Sequence, residues 1–165
     1  MTIFPRLTAI AATLSVTACA APTPEPEVTR AKTLEFSQAD FECLREAIYY
    51  EAAALDLDGG RAVAHVILNR TRDPRFPGTI CGVISEGQDR GRCQFSYRCD
   101  GRAESFGDTA KFAGATRAAE AVVEAPFDDV TDGALYFHAK WMRPGWFATL
   151  DRTVTLGGNI FYREA

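Results

Sequence analysis

The chain has 165 residues, a length that fits one domain, and 47% of them are hydrophobic. Eighteen Lys and Arg stand against 22 Asp and Glu, a formal net charge of −4. No basic stripe, aromatic–basic block or nucleotide-binding glycine motif is present, which argues against nucleic-acid and nucleotide partners.

Residues 1–18 hold one Arg (Arg6), no acid, and an apolar run from Leu7 to Val16. That run is too short for a resident membrane helix and fits a secretory signal. Val16-Thr17-Ala18-Cys19 resembles a bacterial lipobox, in which the Cys becomes the lipidated first residue of the mature chain. Plain cleavage after Ala20 is the rival, because Ala18-Cys19-Ala20 also satisfies the small-x-small rule. Cysteine arithmetic favours the lipoprotein. Five cysteines in an exported chain leave one over, and lipid on Cys19 leaves an even set. Loss of Arg6 with the signal leaves 17 basic residues against 22 acidic. Residues 19–33 are Pro-rich and polar with nothing to bury, and read as an extended tether. At roughly 3 Å per residue it would reach about 40 Å.

The folded part is expected over residues 34–165. Ser37 with Asp40 is a capping-box signature, followed by an apolar stripe of Phe41, Leu44, Ile48, Ala52 and Leu55. Glu51 falls on or beside that stripe. A carboxylate against apolar surface is disfavoured when ionised, so its pKa rises and it becomes a candidate general acid. The alternative is a carboxylate at the stripe's edge, reaching water or pairing with an Arg such as Arg70. A second helix is expected after a Gly59-Gly60 turn, capped by Asp58 and ending near Arg70, with Ala62, Val63, Val66 and Ile67 as its buried face. His65 lies off that face and reads as a partly exposed structural histidine. A short helical turn over Thr79–Ile84 and a polar loop over Glu86–Arg92 follow.

Gln94, Phe95 and Ser96 stand between Cys93 and Cys99. An aromatic ring flanked by an amide and a hydroxyl suits sugar binding, though Phe95 as a core residue fits the composition equally. Four cysteines allow three pairings. Cys93–Cys99 and Cys43–Cys81 are favoured, with free thiols and a zinc site as the poorer alternatives, since no C-x2-C pair occurs. Asp108–Ala125 reads as a third long helix stopped by Pro126, and Ala134–Ala139 as a strand carrying His138. Trp141 and Trp146 follow in an irregular loop, where indoles are costly unless packed or bound to a ligand. Thr153–Leu156 and Asn159–Arg163 form a hairpin about Gly157-Gly158.

Five blocks in order carry a family resemblance: CLREAIYYEA, GGRAVAHVILNRTRDPRFPGTICGVI, CQFSYRCDG, ALYFHAKWMRPGW and LGGNIFYR. Together they resemble the cell-wall hydrolases related to the spore cortex-lytic enzymes. The resemblance implies an α+β fold: a mainly helical, lysozyme-like catalytic domain with a small antiparallel sheet or hairpin at the C-terminal end. It implies that Glu51, in the YYEA block, is the catalytic acid and that the substrate is the peptidoglycan glycan strand. Candidate substrate-binding residues are Gln94, Phe95, Ser96, His138, Trp141, Trp146 and Tyr162. The same resemblance leads one to expect a His where Asn159 stands.

The expected reaction is cleavage between N-acetylmuramic acid and N-acetylglucosamine, as a lytic transglycosylase in which one acid suffices. Hydrolysis would need a second carboxylate. Asp73, Asp100, Glu104 and Asp132 are available, but no motif nominates one. The alternatives are a zinc amidase, for which His65 and His138 are the only histidines, and a non-catalytic peptidoglycan-binding lipoprotein. No cofactor is expected. The protein is expected to be a monomer, exported to the periplasm and held by lipid at the outer membrane.

Overall fold

The first helix is nucleated by its cap. Ser37 Oγ accepts the Asp40 N–H and the Asp40 carboxylate accepts the Ser37 N–H, the reciprocal pair that starts α1 (Gln38–Glu51). The computed structural model describes residues 34–52 and 56–165. The leader, Cys19, the tether, and Leu55 of the first apolar stripe lie outside the described residues. Of the expected stripe, Leu44, Ile48 and Ala52 are buried and Phe41 is partly buried against the core; Ala47, also buried, lies beside them.

Helix α2 (Leu57–Arg72) departs from the expectation at both ends. Its cap is Asp56, not Asp58, and it continues past Arg70. Gly59 and Gly60 are not a turn; they form the first turn of the helix. A Cβ on Gly59 would stand 2.6 Å from the Gly157 Cα, and one on Gly60 would stand 2.7 Å from the Ala118 Cβ. The glycines are there for clearance. His65, expected to be partly exposed, is 0% exposed. Every residue from Ala62 to Leu68 is buried, because α2 has neighbours on all sides. Val63, Ala64, Ile67 and Leu68 join the core shared with α1, α3 (Ile80–Ile84) and α4 (Thr109–Glu124). Ala62 and Val66 pack instead with Ala134 and Phe161 of the sheet region. Asp108 caps α4 by accepting the Lys111 N–H, and Ala125 ends it before Pro126.

The C-terminal third forms a three-stranded antiparallel sheet, β1 (Tyr136–Ala139), β2 (Leu150–Leu156) and β3 (Asn159–Glu164), in the order β1-β3-β2. Gly157 and Gly158 both adopt positive φ, as a two-residue hairpin turn requires. The register places Tyr136 opposite Tyr162 and His138 opposite Ile160. Among the described residues, four α-helices and a small C-terminal sheet match the expected α+β class. Two disulfides, Cys43–Cys81 and Cys93–Cys99, have the expected pairing.

Candidate active site

A cleft of about 670 Å³ opens where the last residue of α1, the disulfide loop after α3, and the sheet meet. Glu51 and Arg70 stand together on its lining. Gln94 and Ser96 come from the disulfide loop, Tyr136 and His138 from β1, Met142 and Trp146 from the β1–β2 loop, and Asn159 from the start of β3. The chemistry of the cleft comes from stretches distant in sequence.

Glu51 is half-buried at the C-terminal end of α1. Its pKa is raised, first because burial penalises the charged form. The negative end of the helix dipole pushes the same way. Three groups pull against that rise: the Arg70 guanidinium, the Lys111 ammonium, and the Ser96 backbone N–H hydrogen-bonded to the carboxyl. Burial thus favours the protonated acid, while Arg70 and Lys111 favour its carboxylate.

Arg70 is buried, and its Nε donates to the Leu135 carbonyl at 2.8 Å. Its guanidinium lies 5.0 Å from the Phe76 ring, 5.8 Å from Phe95 and 5.9 Å from Tyr136. Sequence reasoning gives Arg70 the ordinary role of a cation near a helix end, or of a partner pairing with Glu51. Its spacing, three and four residues after Ile67 and Val66, already puts it on a buried face. That is the available signal.

The expected substrate-binding residues separate into two groups. Gln94, Ser96, His138 and Trp146 line the cleft. Phe95 does not: it is 1% exposed and belongs to the helical core, so its ring offers no face to a sugar. Tyr162 is buried behind the wall, where its hydroxyl meets His138 Nε2 at 3.0 Å. His138 Nδ1 donates to the Ala139 carbonyl at 2.9 Å, which leaves Nε2 of the neutral ring to accept the Tyr162 proton. With both nitrogens engaged, His138 contributes a ring surface. Trp146, 48% exposed, stands edge-on to that ring with centroids 5.9 Å apart. Trp141 is 82% exposed and lies outside the cleft lining. Tyr136, Met142 and Asn159 are lining residues that the sequence did not nominate.

The carboxylates considered as partners of Glu51 are occupied elsewhere. Asp73 pairs with Arg75, Asp100 accepts the Arg102 N–H, Glu104 meets Arg98, and Asp132 pairs with Arg163. Among the described residues that line the cleft, Glu51 is the one carboxylate.

These features define a cleft with a single half-buried acid among its described lining residues, and comparison with known proteins gives the chain a family. The chain belongs to the cell wall hydrolase family, whose model matches residues 56–162. The match begins beyond Glu51, so it leaves the role of that residue to the geometry. The spore cortex-lytic enzyme of Oceanobacillus iheyensis is 31% identical over 128 residues, covering 76% of this chain and 42% of that protein. The Bacillus subtilis spore cortex-lytic enzyme is 45% identical over 51 residues, 31% of this chain and 17% of that protein. The chain thus spans less than half the length of these relatives. Among solved structures, the catalytic domain of the germination-specific lytic transglycosylase SleB from Bacillus anthracis superposes with a TM-score of 0.59 at 28% identity. That match covers 78% of this chain and 97% of that one. The catalytic domain of the Bacillus cereus SleB protein gives the same TM-score and identity, over 78% and 93% of the two chains.

Proposed function

We propose that this protein cleaves the glycan strand of peptidoglycan between N-acetylmuramic acid and N-acetylglucosamine, as a lytic transglycosylase with Glu51 as its only acid. The observation that carries the reading is the lone half-buried carboxyl on the cleft, with Arg70 and the Ser96 N–H ready to hold its conjugate base. Glu51 protonates the glycosidic oxygen as the bond to the muramic acid C1 breaks, and the electron pair leaves with that oxygen. The resulting carboxylate takes the proton from the muramic acid C6 hydroxyl as that oxygen attacks C1, which closes a 1,6-anhydro ring. The proton lost in the first step is regained in the second, so one group serves both. Hydrolysis would call for a second carboxylate about 5 Å away for retention or 6.5–9.5 Å for inversion.

Gln94 and Ser96 supply polar contacts to sugar hydroxyls and amides, and Trp146 with the His138 ring forms an apolar platform. Trp141 extends that platform outside the cleft, and Tyr162 acts through His138. A zinc amidase needs three protein ligands at one place. Among the described residues no group of three His, Cys, Asp or Glu side chains is so assembled. We further assign residues 1–18 to an export signal, Cys19 to lipidation, and residues 19–33 to a tether holding a monomeric catalytic domain in the periplasm, at the outer membrane.

Mass spectrometry of the muropeptides released from purified sacculi tests the reaction. Anhydro ends are expected. Reducing ends would replace the route by hydrolysis, and freed peptides would replace glycan cleavage by amidase action. Glu51→Gln should lower turnover by about 10²- to 10⁴-fold while strand binding persists. Activity within a few-fold of wild type would remove Glu51 from the mechanism.

A further inference from the structure

Arg70 is a buried cation whose bonding is incomplete, and the ligand it would take rests on the reading of the cleft as a glycan-strand site. It is 5% exposed and borders the cleft. Its Nε donates to the Leu135 carbonyl at 2.8 Å. The remaining donors, on Nη1 and Nη2, have no acceptor among the described residues. A guanidinium carries those donors in a planar fork that matches a carboxylate. The rings of Phe76, Phe95 and Tyr136 crowd the group and limit its freedom to swing out into water.

The charge is as incomplete as the bonding. Among the described residues that line the cleft, Arg70 is the one Lys or Arg and Glu51 the one carboxylate. Glu51 and Glu86 act on Arg70 through space, and neither is in ion-pair contact with it. Glu86 lies off the lining. In the proposed reaction Glu51 meets the strand protonated, so the cleft lining then holds a positive charge and no negative one. Taking a guanidinium out of water is costly unless an anion pairs with it. The strand itself can supply that anion.

The sugar backbone of peptidoglycan carries neutral hydroxyls and acetamides and one acidic group, the lactyl carboxyl on O3 of each muramic acid. That group belongs to the same ring whose C1 is attacked, which brings it into the cleft with the reacting bond. On an intact strand it is an amide to the stem peptide and presents only a neutral carbonyl. Water that cleaves this amide leaves a carboxylate on the sugar and an amine on the released peptide. We propose that Arg70 binds the lactyl carboxylate of the muramic acid at the cleavage point, so that the enzyme prefers strands already stripped of stem peptide there. The class of reaction that supplies its preferred substrate is hydrolysis of the lactyl amide. Support of the Glu51 carboxylate uses only the charge of Arg70; binding the lactyl group uses its free Nη donors.

The test gives the full-length protein three soluble strands of equal length: peptide-bearing, enzymatically stripped, and stripped with the lactyl carboxyls converted to methylamides. For wild type, kcat/KM on stripped strands should exceed that on both others by about tenfold or more, as a charge-assisted pair is worth. The methylamide strand separates charge from crowding by the peptide. Arg70→Gln should cleave all three alike, and Arg70→Lys, which keeps the charge without the fork, should retain a preference of a few-fold.

If Arg70 serves Glu51 alone, both variants lose activity on every strand by one factor and the preference survives, which overturns the proposal. Should the variants fail to fold, wild type decides, and equal rates on stripped and methylamide strands overturn it. Calorimetric binding of the same strands to Glu51→Gln keeps the two readings apart. An active Glu51→Gln variant sinks the reading of the acid and leaves the strand preference to judge Arg70. An inactive one that binds stripped and methylamide strands equally sinks only the role of Arg70.

Discussion

In the proposed reaction Glu51 has to satisfy two demands in one catalytic cycle. Before reaction it must carry a proton, and burial shifts its pKa in that direction. Afterwards it must carry a charge, and Arg70, Lys111 and the Ser96 N–H make that charge tolerable. The direction of the net shift fixes two outcomes. Turnover should fall as pH rises through the folded-state pKa, because the acid ionises. For stability, the folded pKa lies above the unfolded value of about 4.3, so between the two the native state binds more protons than the unfolded one. Stability contributed at this site therefore falls as pH rises from about 4.3 until the folded pKa is passed. Glu51→Gln keeps the shape but cannot ionise. Its melting temperature should exceed that of wild type at neutral pH and match it in acid. A variant less stable than wild type at pH 7 would identify Glu51 as a paired structural carboxylate.

Helix α2 is the element on which the two halves of the domain meet. One side packs with the other helices, another with the sheet, and its first turn touches the β2–β3 hairpin through Gly59 and Gly157. This arrangement sets the sign of a substitution that propensity alone would misjudge. Ala is favoured over Gly in a helix by about 1 kcal/mol. At Gly59, however, the new Cβ would lie 2.6 Å from a backbone atom of Gly157 that no rotamer change can move. Overpacking of this kind costs about 1–3 kcal/mol. Gly59→Ala is therefore expected to destabilise, by about 1–2 kcal/mol in urea unfolding. A stabilised variant would mean that the hairpin can yield without cost. Because Asn159 follows this hairpin turn and lines the cleft, the same variant tests whether the helix–hairpin contact supports the site.

At the scale of the molecule, the two disulfides have different tasks. Cys43–Cys81 ties α1 to α3 across 38 residues, and Cys93–Cys99 closes 6. In the chain-entropy account the long loop contributes about 4 kcal/mol and the short one about 2 kcal/mol. Cys43→Ala/Cys81→Ala should accordingly lower the melting temperature by roughly 10 °C or more. Cys93→Ala/Cys99→Ala should lower it less, with the larger loss in turnover, since that loop bears Gln94 and Ser96. Calorimetry and initial rates on the two double variants check the division. Equal losses in both properties would argue that the short loop is merely another structural staple.

Local chemistry determined much of this protein in the sequence itself. The Ser37–Asp40 capping box starts α1, Asp108 and Pro126 bound α4, and the Gly157-Gly158 pair makes the hairpin, each through atoms a few residues apart. The carboxylate on an apolar stripe was equally legible at Glu51, because helical periodicity places it without reference to any other element. Tertiary structure decided the remainder. Gly59-Gly60 looks like a turn until the close approach of Gly157 and Ala118 shows that the space is needed inside a helix. His65 stands in an apolar run and Phe95 between Gln94 and Ser96, and packing from remote elements seals both. Trp141 and Trp146 share one loop, yet only Trp146 turns onto the cleft wall, because His138 and Tyr162 from two paired strands provide its footing. Arg70 became part of the site in the same way. Its sequence position records a cation near a helix end, and the contacts that hold it on the cleft lining with Glu51 come from Leu135, Phe76 and Phe95, brought together only by the fold.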